Sequence, residues 1–206
     1  LLNSLSHELR TPIATIIGAT DNLLSKEVKL SDDNKEELVG EISKASLRLN
    51  RQVENLLNMS RLESGSVKLK QDWVDVNELI YDVLGRLKDV LHHHPVNVQI
   101  KDSLPLYKLD YGLMEQVLYN LVYNAAMYIP KYCVITIRAT SVGDNLVLTV
   151  EDNGNGFPEA EIGKVFDKFY RLQNSKTGGT GLGLSIVRGF IEAHHGKIVL
   201  ENIPKG

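Results

Sequence analysis

A histidine and a hydroxyl stand four residues apart near the start of the chain, His7 and Thr11, with the carboxylate of Glu8 directly after the histidine. On an ideal helix, turning about 100° per residue, His7 and Thr11 share one face, opposite the stripe of Leu2, Leu5, Leu9, Ile13 and Ile16. The imidazole is therefore expected in solvent, beside a hydroxyl. An exposed imidazole can be held in one tautomer by a neighbouring carboxylate while its other nitrogen attacks an electrophile. Taken by itself, the same histidine reads as an ordinary solvated side chain of a helix surface. Pro12 lacks an N–H and crowds the carbonyl of Glu8, which predicts a kink at that turn.

Two glycine-rich loops lie much further along. Asp152-Asn153-Gly154-Asn155-Gly156 follows a strand-like run, and Gly179-Thr180-Gly181-Leu182-Gly183-Leu184 opens a helix-like one. Glycine lets a backbone approach phosphates closely, and a helix N-terminus offers N–H donors and the positive end of its dipole. Asn120 and Asn124 lie four apart on one face of a preceding helix, and their amide oxygens suit a hard cation such as Mg²⁺. Singly, these features have plain readings as a turn, a helix start and a solvated face. Three consecutive histidines, His92 to His94, diverge by about 100° each on a helix and read as a solvated helix end rather than a metal site.

These groups need elements to position them. Before Gly65, apolar residues recur at helical spacing, first in the stripe above and then at Leu38, Ile42, Ala45, Leu49, Val53, Leu56 and Met59. Two long helices follow, with Ser31, Asp32, Asp33 and Asn34 as capping side chains between them and Gly65 just past the second. Two such stripes cannot both be buried by one hairpin, so a four-helix bundle built from two chains is expected, a homodimer. Five of the six prolines and all 13 aromatic residues fall after residue 64, which divides the chain into 1–65 and 66–206. The second part reads as a strand end and helix over Val74 to Leu91, a strand over Val96 to Ile100 and a helix over Tyr111 to Tyr128. A hairpin follows, Cys133 to Ala139 and Leu146 to Glu151 around Gly143-Asp144-Asn145. A helix over Leu182 to His194 and a strand over Lys197 to Glu201 complete the reading, with Cys133 a buried strand residue. The fold class is α+β, a helical hairpin followed by a sheet with helices on one face.

Composition narrows the function. With 206 residues, 23 Lys+Arg against 26 Asp+Glu and a net charge of -3, the chain has no global basic field to recruit nucleic acid or anionic lipid. Its longest nearly apolar stretch, Pro12 to Ala19, falls far short of the roughly 20 residues of a membrane span. One cysteine excludes an internal disulfide. The start at Leu1 without Met leads us to expect a fragment whose targeting information lies elsewhere.

Taken together and in order, the motifs resemble those of bacterial sensor histidine kinases, in which a dimerisation and phosphotransfer domain precedes a Bergerat-type ATP-binding domain of α/β-sandwich form. Ser6-His7-Glu8-Leu9-Arg10-Thr11-Pro12 is similar to the phosphoacceptor box and Asn120 to Tyr128 to the N box. Asp152 to Gly156 and Gly179 to Leu184 are similar to the two glycine boxes, and Phe166-Asp167-Lys168-Phe169-Tyr170-Arg171 to the F box. The resemblance implies that His7 is phosphorylated from ATP, that Glu8 aids proton transfer, and that Thr11 serves hydrolysis of a partner's phosphoaspartate. It further implies that Asn124 with Asn120 serves Mg²⁺ and phosphate, that Asp152 accepts the adenine amino group and that Tyr128 borders the adenine. Gly154 and Gly156 would shape that end of the site. Gly179, Thr180, Gly181, Leu182 and Gly183 would approach the phosphates, with Lys168 and Arg171 near the triphosphate. The implied partner is a response-regulator receiver domain, and the implied location is the cytoplasmic portion of an inner-membrane sensor, with any membrane segment outside this chain.

Three positions depart from the resemblance. Met127 stands where a Lys or Arg is common in the N box, His195 stands in place of a usual Gly after the last helix, and the chain stops at Gly206 before the family's final strand. The entry Leu1 to His7 and the linker Leu69-Lys70-Gln71-Asp72-Trp73 further resemble the Kdp-type potassium-sensing kinases. An ATPase of the same superfamily and a nucleotide-gated dimer scaffold are the alternatives, the first leaving Ser6 to Pro12 without a role.

Overall fold

The structure, a computed structural model, describes residues 2–25, 30–172 and 179–203. The side chains of Leu2 and Leu5, the connection at 26–29 and the chain end at Gly206 lie outside the described residues. Helix α1 (Leu2–Leu24) runs through Pro12 as one element and pairs with α2 (Asp32–Glu63) in the expected hairpin. Ser31 caps α2, its Oγ accepting the Asn34 N–H at 3.2 Å and so satisfying one of the free donors of the first turn. At the other end, Gly65 donates to the Leu62 carbonyl (3.2 Å) and Ser66 to that of Arg61 (3.1 Å). Gly65 sits at φ +62°, a left-handed conformation that costs other residues about 1–2 kcal/mol. The hairpin leaves Ile13, Ile17, Leu24, Val39, Leu47, Val53 and Leu57 42–73% exposed. Only Ile13 and Val53 of these belong to the stripes, whose other described members are buried or half-buried, so what stays uncovered is an apolar face beside them.

The second part contains β1 (Asp72–Val74), α3 (Val76–Arg86), α4 (Lys88–Leu91), β2 (Val96–Ile100), β3 (Tyr107–Leu109) and α5 (Tyr111–Tyr128). It continues with β4 (Ile135–Val142), β5 (Asn145–Asp152), α6 (Glu159–Ile162) and α7 (Gly183–Ala193). Strands β2 and β4 are parallel, β4 and β5 form the expected antiparallel hairpin, and β1 pairs separately with β3. Alternation along β4 buries Ile135, Ile137 and Ala139 against Val76, Ile80, Val83, Leu118 and Val122. The opposite face carries Arg138, which pairs with Glu151 and donates to Gln99, so the helices lie on one face of the sheet. A second core joins Leu79, Val117, Leu182, Ile186 and Phe190 to Leu56, Met59 and Leu62 of α2. The end of the hairpin is thus built into the core beneath the glycine loops. Asn58 donates to Gln116 at 2.9 Å, and the Arg51 guanidinium lies 3.3 Å over the Tyr123 ring, a cation–π contact. Among the described residues no helix is long and apolar enough to cross a membrane.

Three readings of the sequence are corrected. Residues 197–201 form no strand: the outer edge of β5 has no described backbone partner, and a strand exists only where a neighbour takes its N–H and C=O groups. The segment is held instead by Asn202, which accepts the Phe157 N–H (2.8 Å) and donates to the Phe157 carbonyl (2.7 Å). Cys133 lies half-buried in the turn before β4 rather than within a strand. The histidine run is only partly solvated, because His94 is buried and its Nδ1 lies 3.2 Å from the Cys133 carbonyl. The unusual His195 occupies the place where a glycine would relieve strain. It sits at φ +59° and closes α7 with the same pair of bonds that closes α2, His195 to Glu192 and Gly196 to Ile191, each 2.9 Å.

Candidate active site

His7 and Thr11 are both exposed on α1, and the Thr11 hydroxyl donates to the His7 carbonyl at 3.1 Å. With Arg10, Ala14 and Thr15 they line a shallow concavity. Glu8, a step of about 100° further round the helix, points elsewhere: it is buried, and its two oxygens meet Arg48 of α2 (3.3 Å) and Arg171 of the segment after α6 (3.1 Å). In this arrangement Glu8 is turned toward Arg48 and Arg171 rather than toward His7.

A continuous cleft of about 1980 Å³ begins on that side and extends to the open edge of β5. Ligand pockets are typically about 300–1,000 Å³, so the chemistry must be located by its residues rather than by volume. Asn124, Tyr128, Asp152, Gly154, Gly156, Arg171, Gly179, Thr180, Gly181 and Gly183 all line it. Asp152 ends β5, and its Oδ1 accepts the Gly154 N–H at 2.9 Å, which leaves the other carboxylate oxygen to receive a donor. The Tyr128 hydroxyl lies 3.4 Å from where a Cβ on Gly179 would be, so that loop passes over the aromatic ring's polar tip. Gly181 has φ +68°, and a Cβ there would lie 2.6 Å from the carbonyl carbon of Phe169. Phe169, itself at φ +64°, donates to the Gly181 carbonyl at 2.9 Å. The second glycine loop and the Phe166–Arg171 segment are therefore locked back to back. Tyr170 donates to Glu161 at 2.6 Å, and this bond, with some burial, raises the phenol above its ordinary pKa, so it remains a protonated donor.

Three of the residues expected to hold nucleotide or cation lie away from the cleft. Lys168 pairs with Glu63 at 2.8 Å, drawn to the end of α2. Leu182 is fully buried in the core beneath the loop, because its position at the start of α7 turns the side chain inward. Asn120 lies behind Asn124, 1% exposed, with its Nδ2 unpartnered. A Cβ on Gly183 would lie 3.8 Å from Asn120 Oδ1 and 3.6 Å from Asn124 Nδ2, so both amides gather at the start of α7. This set of neutral oxygen donors fits a hard cation that takes its remaining ligands from phosphate. Among the described residues no group of three or more His, Cys, Asp and Glu could hold a metal ion. Met127 is 36% exposed and does not line the cleft.

Sequence reasoning missed the contribution of α2. Arg48, Arg51, Gln52 and Asn55 line the same cleft, and Gln52 carries a buried, unpartnered Oε1. Their signal was legible as a polar stripe at helical spacing, continued by Asn58, beside the apolar one.

Comparison with known proteins places these features. Residues 1–65 match the His Kinase A (phospho-acceptor) domain and residues 110–206 the histidine kinase-, DNA gyrase B- and HSP90-like ATPase domain. The chain is 37% identical over 207 residues to sensor protein KdpD of Escherichia coli K12, covering 100% of this chain and 23% of that protein. The chain spans about a quarter of the length of the KdpD proteins it matches. Among solved structures it is similar to the histidine kinase AdeS of Acinetobacter baumannii, with TM-score 0.67 and 26% identity, covering 91% of this chain and 86% of that one. It is also similar to the histidine kinase ThkA in complex with the response regulator TrrA, with TM-score 0.63 and 26% identity over 93% of this chain and 53% of that one. With a phosphoacceptor domain, an ATPase domain and the motifs of each in order, the chain belongs to the bacterial sensor histidine kinases.

Proposed function

We propose that this chain is the catalytic core of a sensor histidine kinase of the Kdp type, which phosphorylates His7 from ATP and passes the phosphoryl group to an aspartate of a response-regulator receiver domain. The observation that carries this reading is the bridge through Glu8: the residue beside His7 meets Arg171 of the glycine-lined cleft at 3.1 Å, so the acceptor helix and the cleft adjoin. Asp152 takes the adenine amino group, Tyr128 borders the base, and Gly179 to Gly183 with the start of α7 hold the phosphates. Asn124 and Asn120 would hold Mg²⁺, which when bound neutralises phosphate charge. A ring nitrogen of His7 then bonds to the γ-phosphorus as the bond to the β,γ-bridging oxygen breaks, its electron pair leaving with ADP. The proton of the other ring nitrogen passes to Glu8. In the second transfer an aspartate oxygen of the receiver bonds to the phosphorus and the P–N bond breaks, its electron pair returning to His7, which takes back from Glu8 the proton it gave up in the first transfer.

Residues 1–65 form the dimerisation and phosphotransfer domain in this reading and 66–206 the ATP-binding domain. The apolar side chains left exposed on the hairpin support a homodimer in which a second hairpin completes a four-helix bundle. Incubation with γ-labelled ATP, followed by acid and alkali, tests the proposal. Acid-labile, alkali-stable label that disappears in His7→Ala is expected. ATP turnover without labelled protein would assign an ATPase instead, and binding without turnover a scaffold.

A further inference from the structure

Arg171 lines the cleft and also reaches the buried Glu8 carboxylate, whose other oxygen is held by Arg48. The two guanidinium groups come from different elements: Arg48 from the middle of α2, packed beside α1, and Arg171 from the segment locked to the second glycine loop through Phe169 and Gly181. A carboxylate held at each oxygen by a different guanidinium is fixed in orientation, and here that orientation is away from His7. An incoming triphosphate offers Arg171 a denser negative charge inside the cleft it already lines. We infer that Arg171 is shared, exchanging Glu8 for nucleotide phosphates, and that Arg48 is the positioning residue that keeps hold of Glu8 after the exchange so that its freed oxygen serves His7.

This inference rests on the kinase reading and makes nucleotide binding the event that readies the acceptor helix. It carries a thermodynamic signature: Glu8 and phosphates compete for one cation, so removing the carboxylate's charge strengthens phosphate binding and leaves the base-binding end untouched.

The experiment titrates the 1–206 chain, wild type and variants, with ADP and with adenosine. Glu8→Gln, which keeps the side chain's shape, should tighten ADP about three- to fivefold, the range of a partly exposed ion pair. Adenosine affinity should stay at the wild-type value, and the gain should vanish in the Arg171→Ala background. Glu8→Asp, one methylene shorter, should tighten ADP in the same direction by less. For Arg48, the measurement is His7 labelling against ATP concentration: Arg48→Ala should lower the maximal rate with KM unchanged, and Arg48→Lys should restore part of it. Unaltered ADP affinity in Glu8→Gln, an equal shift for adenosine, or a gain that persists without Arg171 would overturn the sharing. A fall in Arg48→Ala that appears wholly in KM would overturn its positioning role. Wild type that binds ADP but never labels His7 would instead defeat the kinase reading and this inference with it.

Discussion

Replacing Gly181 by alanine should disable the cleft proposed to bind nucleotide while sparing most of the fold. The residue lies at φ +68°, and an added Cβ would fall 2.6 Å from the Phe169 carbonyl carbon and 2.7 Å from the Tyr170 carbonyl oxygen. Both neighbours are backbone, so rotation of a side chain cannot relieve the overlap. The left-handed conformation costs an alanine about 1–2 kcal/mol and forced overpacking about 1–3 kcal/mol more. The cost falls on the bond from the Phe169 N–H to the Gly181 carbonyl, and the two segments should part. Because separated loops cannot present phosphate donors together, the loss should appear as weakened ATP binding of about 30-fold to a few thousand-fold, at 1.4 kcal/mol per factor of ten. Phe169 packs against the core around Ile186, but the core around Leu118 and Ile135 includes no residue of these segments, so the thermal midpoint should move less than the ATP affinity. Calorimetric titration with ATP, beside thermal melts monitored by circular dichroism, reads both quantities. ATP affinity within threefold of wild type would refute the idea that the locked loops build the phosphate site.

Other outcomes follow from particular contacts. Asp152→Asn keeps an oxygen for the Gly154 N–H but removes the charged acceptor, so adenosine affinity should fall by about 1.5–3 kcal/mol without a change in melting, as titration would show. Thr11→Ala loses an exposed hydroxyl bonded to the His7 carbonyl; autophosphorylation should persist while hydrolysis of a phosphorylated receiver is lost, measured as phosphate release beside His7 labelling. His195→Gly should raise stability by about 1 kcal/mol, read from the denaturant midpoint, because it relieves a left-handed histidine. The Tyr111 hydroxyl donates to Asp82 at 2.5 Å, and this bond with burial raises its pKa strongly. Above about pH 10 the unfolded phenol ionises while the folded one keeps its proton, so stability should fall as pH rises through that range, and Tyr111→Phe should flatten the fall.

Local chemistry made much of this protein legible in its sequence. Ser31 and Gly65 announced the ends of α2 because a cap needs a side-chain acceptor at one end and a left-handed residue at the other. The strict alternation around Gly143 announced the hairpin of β4 and β5, and the period of the apolar residues set α5 over Tyr111–Tyr128 to the residue. These features depend on bonds between near neighbours in the chain. The strand expected at 197–201 failed for the opposite reason: a strand is a relation between two segments, and the sequence of one segment does not supply its neighbour.

The site divides in the same way. Residue type and order singled out His7, Asp152 and the glycine loops as candidates, since on the proposed reading phosphate and adenine impose strict demands on charge, space and backbone freedom. Direction was a tertiary matter. Lys168 and Arg171 sit three apart in one motif, yet one pairs with Glu63 and the other enters the cleft. Leu182 lies between two cleft glycines but turns into the core. Glu8, adjacent to His7 in the chain, is held by two arginines brought from 40 and 163 residues away. Which carboxylate meets which guanidinium depends on how α1, α2 and the glycine loops pack, and no single segment contains that information.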